Sequence, residues 1–162
     1  ISPNQKDWNF GLIGSYRLGD NKNKNSYANK IVREFMSIGP NAKFYGFQSQ
    51  EFVKEKMKTA SIIVIPSIWE EPFGLVAAEA MSNGICIIAS KVGGIPEIIK
   101  NNGILIDKIN DLKLQKYILN VINNDKIRKH YQKKAWKNFT LTSIISSKKL
   151  DNYRDDIFKN YF

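Results

Sequence analysis

The chain has 162 residues, enough for one domain with a core of its own. Its net charge of +10 draws it towards anions such as nucleotides, phospholipid headgroups or nucleic acid. No apolar run is long enough to span a bilayer, and no signal-peptide pattern is visible.

Apolar runs with strand character alternate with helical segments along the chain. Phe10-Gly11-Leu12-Ile13-Gly14 reads as a first strand ending in a glycine turn. A polar loop, Gly14 to Asn25, leads to a helix over Tyr27–Met36. Ala42–Gly46 reads as a strand, followed by a helix over Gln50–Met57 with Ser49 as its N-cap. Next come a strand at Ile62–Ile65, a helix at Leu75–Ser82 and a strand at Ile85–Ala89. A short helix at Ile95–Lys100 and a brief strand at Ile104–Ile106 follow. The last stretch reads as three helices, over Asp111–Val121, Lys126–Trp136 and Ser143–Phe158. Such alternation predicts an α/β fold with a parallel sheet of five or six strands and helices on both faces. Ligands of such sheets sit at the carboxyl ends of the strands, the edge that carries the loops after Gly14, Gly46, Ile65 and Ala89.

Several residues read as structural. Cys86 lies in an apolar run and reads as a small buried hydrophobe; one cysteine makes no internal disulfide, which suits a reducing compartment. His130 sits in a basic helix and reads as a surface residue. Trp136, Phe139, Tyr153 and Phe158 read as packing residues. The Lys-rich helices read as solvated faces. With no nucleic-acid motif and no aromatic stacking platform, nucleic acid ranks low as a partner.

The most informative stretch runs from Trp69 to Met81. Glu71 and Glu79 flank Pro72-Phe73-Gly74, which opens a helix of small residues. Eight positions at about 100° each turn about 80° past two full turns, so the two acids do not share one face of a continuous helix. Glu71 therefore belongs in the loop, held extended by Pro72, and Glu79 inside the helix. The helix start offers free backbone N–H groups and the positive end of a dipole, both suited to phosphate. Carboxylates beside it accept hydrogen bonds from hydroxyls instead. The pattern points to a ligand that is part phosphate and part sugar. Glu70 reads as a surface acid, and Glu97 as a residue that caps its helix or braces the pocket.

Pro66-Ser67 through Met81, with Ser90-Lys91-Val92-Gly93-Gly94-Ile95-Pro96-Glu97 and Asn102-Gly103-Ile104-Leu105-Ile106, closely resembles the donor-binding domain of group 1 (family 4) retaining glycosyltransferases. The resemblance implies the Rossmann-like C-terminal half of the two-domain GT-B architecture. It implies that residues 1–162 form one donor-binding domain of a longer enzyme, with helix 143–162 packing towards an N-terminal acceptor domain, so that some of the packing aromatics would be exposed in this stretch alone. The transferred unit would be a hexose or N-acetylhexosamine. The donor would be a nucleotide diphosphate sugar, a UDP-sugar ahead of a GDP-sugar, and the acceptor a glycan or glycolipid hydroxyl.

Residue by residue, the family's pattern assigns Arg17 and Lys22 to the donor diphosphate, in place of a divalent metal. Ser15 and Tyr16 separate Arg17 from the glycine that usually precedes it, and Lys24 is an alternative to Lys22. Glu71 is assigned to the donor sugar, Glu79 to the ribose, and the backbones of Phe73, Gly74, Leu75 and Val76 to sugar and phosphates. Gly14, Gly46 and Phe47 fall in segments that approach the nucleotide. The catalytic set is thus Arg17, Lys22 and Glu71, with no metal and no further cofactor. The family's usual extra strand has only Met36–Asn41 in its place, so a smaller sheet is expected. The resemblance further implies a cytoplasmic enzyme, with peripheral association at the inner face of the membrane as an option. A nucleotide-sugar epimerase half and a non-catalytic scaffold of the same architecture remain as alternatives. Epimerases lack the paired-Glu frame, and intact Glu71 and Glu79 speak against a decayed site.

Overall fold

The computed structural model describes residues 7–14 and 26–161. Five strands and seven helices alternate among them: β1 (Phe10–Ile13), α1 (Ser26–Met36), β2 (Ala42–Gly46), α2 (Gln50–Thr59), β3 (Ile62–Ile65), α3 (Leu75–Ser82), β4 (Cys86–Ser90), α4 (Ile95–Ile99), β5 (Ile104–Ile106), α5 (Asp111–Asn123), α6 (Asp125–Lys137) and α7 (Ser143–Tyr161). All strand pairing is parallel, as the α/β reading requires: β1 with β2, and β3-β4-β5 in a second set. Among the described residues no strand lies between α1 and β2. The chain divides into two compact units, one up to Thr59 and one from Ala60 on.

In the first unit, Phe10 pairs with Ala42 and Leu12 with Phe44, but the register slips after Leu12, so that Ile13 faces Gly46. The Tyr45 ring tilts against Phe52, 5.3 Å between centroids. The ammonium groups of Lys43 and Lys56 stand 5.1 and 5.0 Å from the Tyr45 ring centre. Ser49 caps α2 by accepting the Phe52 N–H at 3.2 Å. Backbone N–H bonding at this helix start, together with Ser49, holds the Glu51 carboxyl below its ordinary range.

The second unit is organised around β4. All five of its residues are buried, which for a parallel strand means cover on both faces. Alternate side chains point to opposite faces. Cys86 and Ile88 pack with Ile104, Ile106 and Val121, and Tyr117, Ile118, Ile127 and Tyr131 close that cluster. β3 and β5 flank β4 in register, Ile63 opposite Ile87 and Ala89 opposite Leu105. The corner between α5 and α6 is tied by one arginine. Arg128 donates to the Val121 and Ile122 carbonyls at 3.0 and 3.3 Å and pairs with Asp125, whose carboxyl is held below its ordinary range by that contact. Asn124 accepts the Ile127 N–H at 3.1 Å as the N-cap of α6. That is why α5 runs on to Asn123 rather than stopping at Val121, and α6 starts at Asp125.

Two of the aromatics read as packing residues, a group of which some were expected to be exposed in this stretch alone, are open to solvent. Trp136 and Tyr153 are 68% and 65% exposed within their unit. Trp136 nevertheless lies close to Gly84, its Cβ 3.4 Å from where a Cβ on that glycine would stand, and Ala135 beside it is buried. Phe158 lies where side chains are outside the described residues. No helix among the described residues is long and apolar enough to cross a membrane.

Burial raises the Cys86 thiol to about 11, against a smaller opposing pull from Arg128. A raised thiol keeps its proton in the folded chain longer than in the unfolded one. Its contribution to stability is therefore complete below the ordinary value of 9.0 and is lost as pH rises through about 11. At pH 8, alkylation of Cys86 by iodoacetamide is expected to be at least ~100-fold slower in the folded protein than in denaturant. Mass spectrometry of timed samples checks this, and equal rates would contradict the burial.

Candidate functional site

The site is built on the loop between β3 and α3. Ile65 ends β3, and Pro66, which has no N–H to offer a strand, follows it. Ser67, next in line, is buried at 6% exposure. Its hydroxyl donates to Glu71 Oε1 at 3.0 Å. Glu70 receives the Gly93 N–H on Oε2 at 2.5 Å. The Gly94 N–H donates to the Glu71 carbonyl at 2.7 Å. The β3–α3 loop is thus tied along its length to the turn that follows β4.

That turn accepts the loop only because it is glycine. Gly93 has φ +52°, and a Cβ there would run into the Glu71 backbone, with its carbonyl carbon 2.8 Å away. A Cβ on Gly94 would stand 2.8 Å from the Pro72 oxygen and 3.0 Å from Phe73 Cα. Gly93 further needs the left-handed region that side chains disfavour.

Gly74 caps α3 from the left-handed region, φ 85°, with no side-chain cap. Its carbonyl accepts the Ala77 and Ala78 N–H groups at 2.9 and 3.2 Å. Among the described residues the N–H groups of Leu75 and Val76 have no partner. The end of the helix is open: Leu75 is 68% and Val76 45% exposed. Trp69 and Phe73 are exposed beside it. Free backbone donors with apolar side chains nearby in the same segment are groups that a small-molecule site uses.

Glu71 and Glu79 fall where the spacing put them. Glu71 is in the loop, half-buried, with one carboxylate oxygen engaged by Ser67. Glu79 is the fifth residue of α3 and also half-buried. Its carbonyl accepts from Ser82 and Asn83, each at 2.8 Å, and its carboxylate makes no hydrogen bond or ion pair among the described residues. Ala77 and Ala80 are fully buried, which seats α3 against β3 and β4. Among the described residues no three His, Cys, Asp or Glu side chains gather in one place.

In the first unit, Gly14 and Gly46 meet at the carboxyl ends of β1 and β2, the Gly14 N–H donating to the Gly46 carbonyl at 3.0 Å. Phe47 follows and is 82% exposed. Arg17, Lys22 and Lys24 lie outside the described residues. The parts played by Ser67 and Ser90 were not read from the sequence: the Ser90 hydroxyl holds the Ser67 backbone, and the Ser67 hydroxyl meets Glu71. Glu70, expected at the surface, is exposed and also accepts the Gly93 N–H. The one signal for the serines was a small polar residue at the carboxyl end of each of two apolar strands.

The sequence profile of the family described as glycosyl transferases group 1 matches residues 1–138. An uncharacterized glycosyltransferase of Methanocaldococcus jannaschii is 37% identical over 125 residues, 76% of this chain and 33% of that protein. The lipopolysaccharide 1,2-N-acetylglucosaminetransferase of Salmonella typhimurium is 33% identical over 88 residues, 54% of this chain and 23% of its own length. The chain thus spans about a third or less of these relatives. Among solved structures, Anabaena HepE in complex with UDP and glucose superposes with a TM-score of 0.73 at 21% identity, over 90% of this chain and 40% of that one. The likeness to HepE shows the fold.

The clamp gives a graded prediction. Gly93→Ala is expected to lower stability by roughly 2–5 kcal/mol, overpacking against the Glu71 backbone (about 1–3 kcal/mol) adding to the left-handed cost at φ +52° (roughly 1–2 kcal/mol). Gly46→Ala has open space around it but φ +67°, so it carries only the left-handed backbone cost of roughly 1–2 kcal/mol. Chemical denaturation of both variants checks this. A Gly93 variant with wild-type stability would mean that the two loops do not touch.

Proposed function

Because the chain belongs to the group 1 glycosyl transferases, we propose that it binds the donor of a retaining enzyme that moves a hexose or N-acetylhexosamine from a nucleotide diphosphate sugar, a UDP-sugar by preference, to a glycan or glycolipid hydroxyl. One observation carries this reading: an open helix start at Gly74 with two unpartnered N–H groups, followed by a free carboxylate and preceded by one that keeps one oxygen free. HepE, solved with UDP-glucose, supports the donor class. The activity for which the Salmonella relative is named supports N-acetylhexosamine and a lipopolysaccharide-type acceptor.

The chemistry follows from charge. As the bond between sugar and phosphate breaks, negative charge grows on the diphosphate and positive charge on the sugar carbon. The Leu75 and Val76 N–H groups and the α3 dipole favour the leaving diphosphate. The family pattern assigns two cations, Arg17 and Lys22 (or Lys24), to the donor diphosphate, in place of a metal or other cofactor. Glu71 accepts from donor-sugar hydroxyls and helps hold the reacting carbon; it is not a nucleophile. Glu79 accepts from both ribose hydroxyls, a task for which two carboxylate oxygens are better suited than an amide. The enzyme would work in the cytoplasm, with its acceptor bound elsewhere in a longer protein and a peripheral contact with the inner membrane face where the acceptor is a lipid.

Titration calorimetry with UDP, UDP-glucose, GDP-mannose and ADP-glucose tests this. At least one nucleotide is expected to bind, and Glu79→Ala to weaken it by roughly 10- to 100-fold, as expected for one charge-assisted contact of about 1.5–3 kcal/mol. No heat with any nucleotide would favour a scaffold over an enzyme. Binding unaffected by Glu79→Ala would remove the ribose assignment.

A further inference from the structure

Glu71 is aimed by a chain of hydroxyls that begins in the core. Ser90 ends β4 at 1% exposure. Its Oγ lies 2.6 Å from the Ser67 carbonyl and 3.1 Å from the Ile65 carbonyl. A hydroxyl has one proton, so the two carbonyls share it. Both belong to the carboxyl end of β3, and the bond pins the backbone of Ser67 against β4. The Ser67 hydroxyl, fixed in place, then donates to Glu71 Oε1.

This side-chain contact is not needed to hold the loop. The loop is already tied through its backbone by Gly94 and through Glu70 by Gly93. What Ser67 adds falls on the carboxylate itself. A glutamate has three torsions beyond its backbone, and a half-buried one left alone would sample several rotamers.

We infer that Ser67 is a positioning residue for donor-sugar recognition: it occupies Oε1 of Glu71 and so presents Oε2 to a hydroxyl of the sugar, with Ser90 as the buried anchor of Ser67. The inference rests on the reading of Glu71 given above and adds residues to which that reading assigns no part. Its consequence is selective. Ser67 acts on the sugar end of the ligand and leaves the nucleotide end alone.

The test compares two ligands in the same protein by calorimetry, UDP-glucose (or UDP-N-acetylglucosamine, whichever the wild type prefers) against UDP. Wild type is expected to bind the nucleotide sugar more tightly than UDP. Ser67→Ala is expected to weaken the nucleotide sugar about tenfold and to leave UDP within about twofold, the loss of one hydrogen bond to a charged group. Ser67→Thr, which keeps the hydroxyl, restores the preference. Ser67→Cys keeps the volume with a weak donor and follows Ala, which decides the matter if the Ala variant does not fold. A wild-type ratio of the two affinities in Ser67→Ala or Ser67→Cys overturns the inference, and so does parallel weakening of both ligands. A wild type that binds neither ligand is a different result: it removes the proposed function itself.

Discussion

The contact on which the site depends is the clamp between two loops, the Gly94 N–H on the Glu71 carbonyl at 2.7 Å. Around it the backbones approach so closely that neither Gly93 nor Gly94 has room for a Cβ. This contact decides where Phe73 and Gly74 lie, and Gly74 decides where α3 begins. The helix axis, its open N–H groups and the placement of Glu79 then follow from ordinary helical geometry. Glycine at these positions lowers the order of the unfolded chain and is intrinsically destabilising. Its presence in both loops is understandable where one backbone must lie on another.

The rest of the second unit provides a rigid base for that clamp. β4 is buried along its whole length, so the turn that follows it is anchored in the least movable part of the sheet. The same strand supplies Ser90, whose hydroxyl reaches across to β3. Both walls of the site therefore refer to one strand. Two neighbouring acids illustrate how position decides role. Glu70 spends its carboxylate on the Gly93 N–H and serves the loop. Glu71, one residue on, has its carbonyl used by the loop and one carboxylate oxygen left over.

Much of this was legible in the residues. Element order was readable because apolar runs of strand length alternate with longer helical segments, and α3 and β2 have the bounds that their flanking glycines suggested. Glu71 in a loop and Glu79 in a helix followed from angular spacing alone. Boundaries went astray where a side chain outside the pattern intervened: Asn124 and Arg128 rebuild the α5–α6 corner by hydrogen bonds that hydrophobic periodicity does not encode. Trp136 illustrates the opposite limit. It packs close to Gly84 and yet stays 68% exposed, because adjacent helix positions lie about 100° apart and Ala135 takes the buried one. The serine relay was invisible because serines at strand ends are common, and only burial separates these from the rest.

The clamp also bears on how the site would bind. Ordering one residue's backbone costs roughly 1–2 kcal/mol. A loop of four residues, Glu71 to Gly74, that ordered only on meeting its ligand would subtract several kcal/mol from the affinity. Here the loop is fixed by contacts that form on folding, so this cost is met before any ligand arrives. The remaining freedom lies in side chains, in Glu79 and in the one free oxygen of Glu71. An anion arriving at Leu75 and Val76 would meet backbone donors already aligned at the helix start. Preorganisation of this kind favours charge that develops during a reaction over charge already present, which is the demand a departing diphosphate makes.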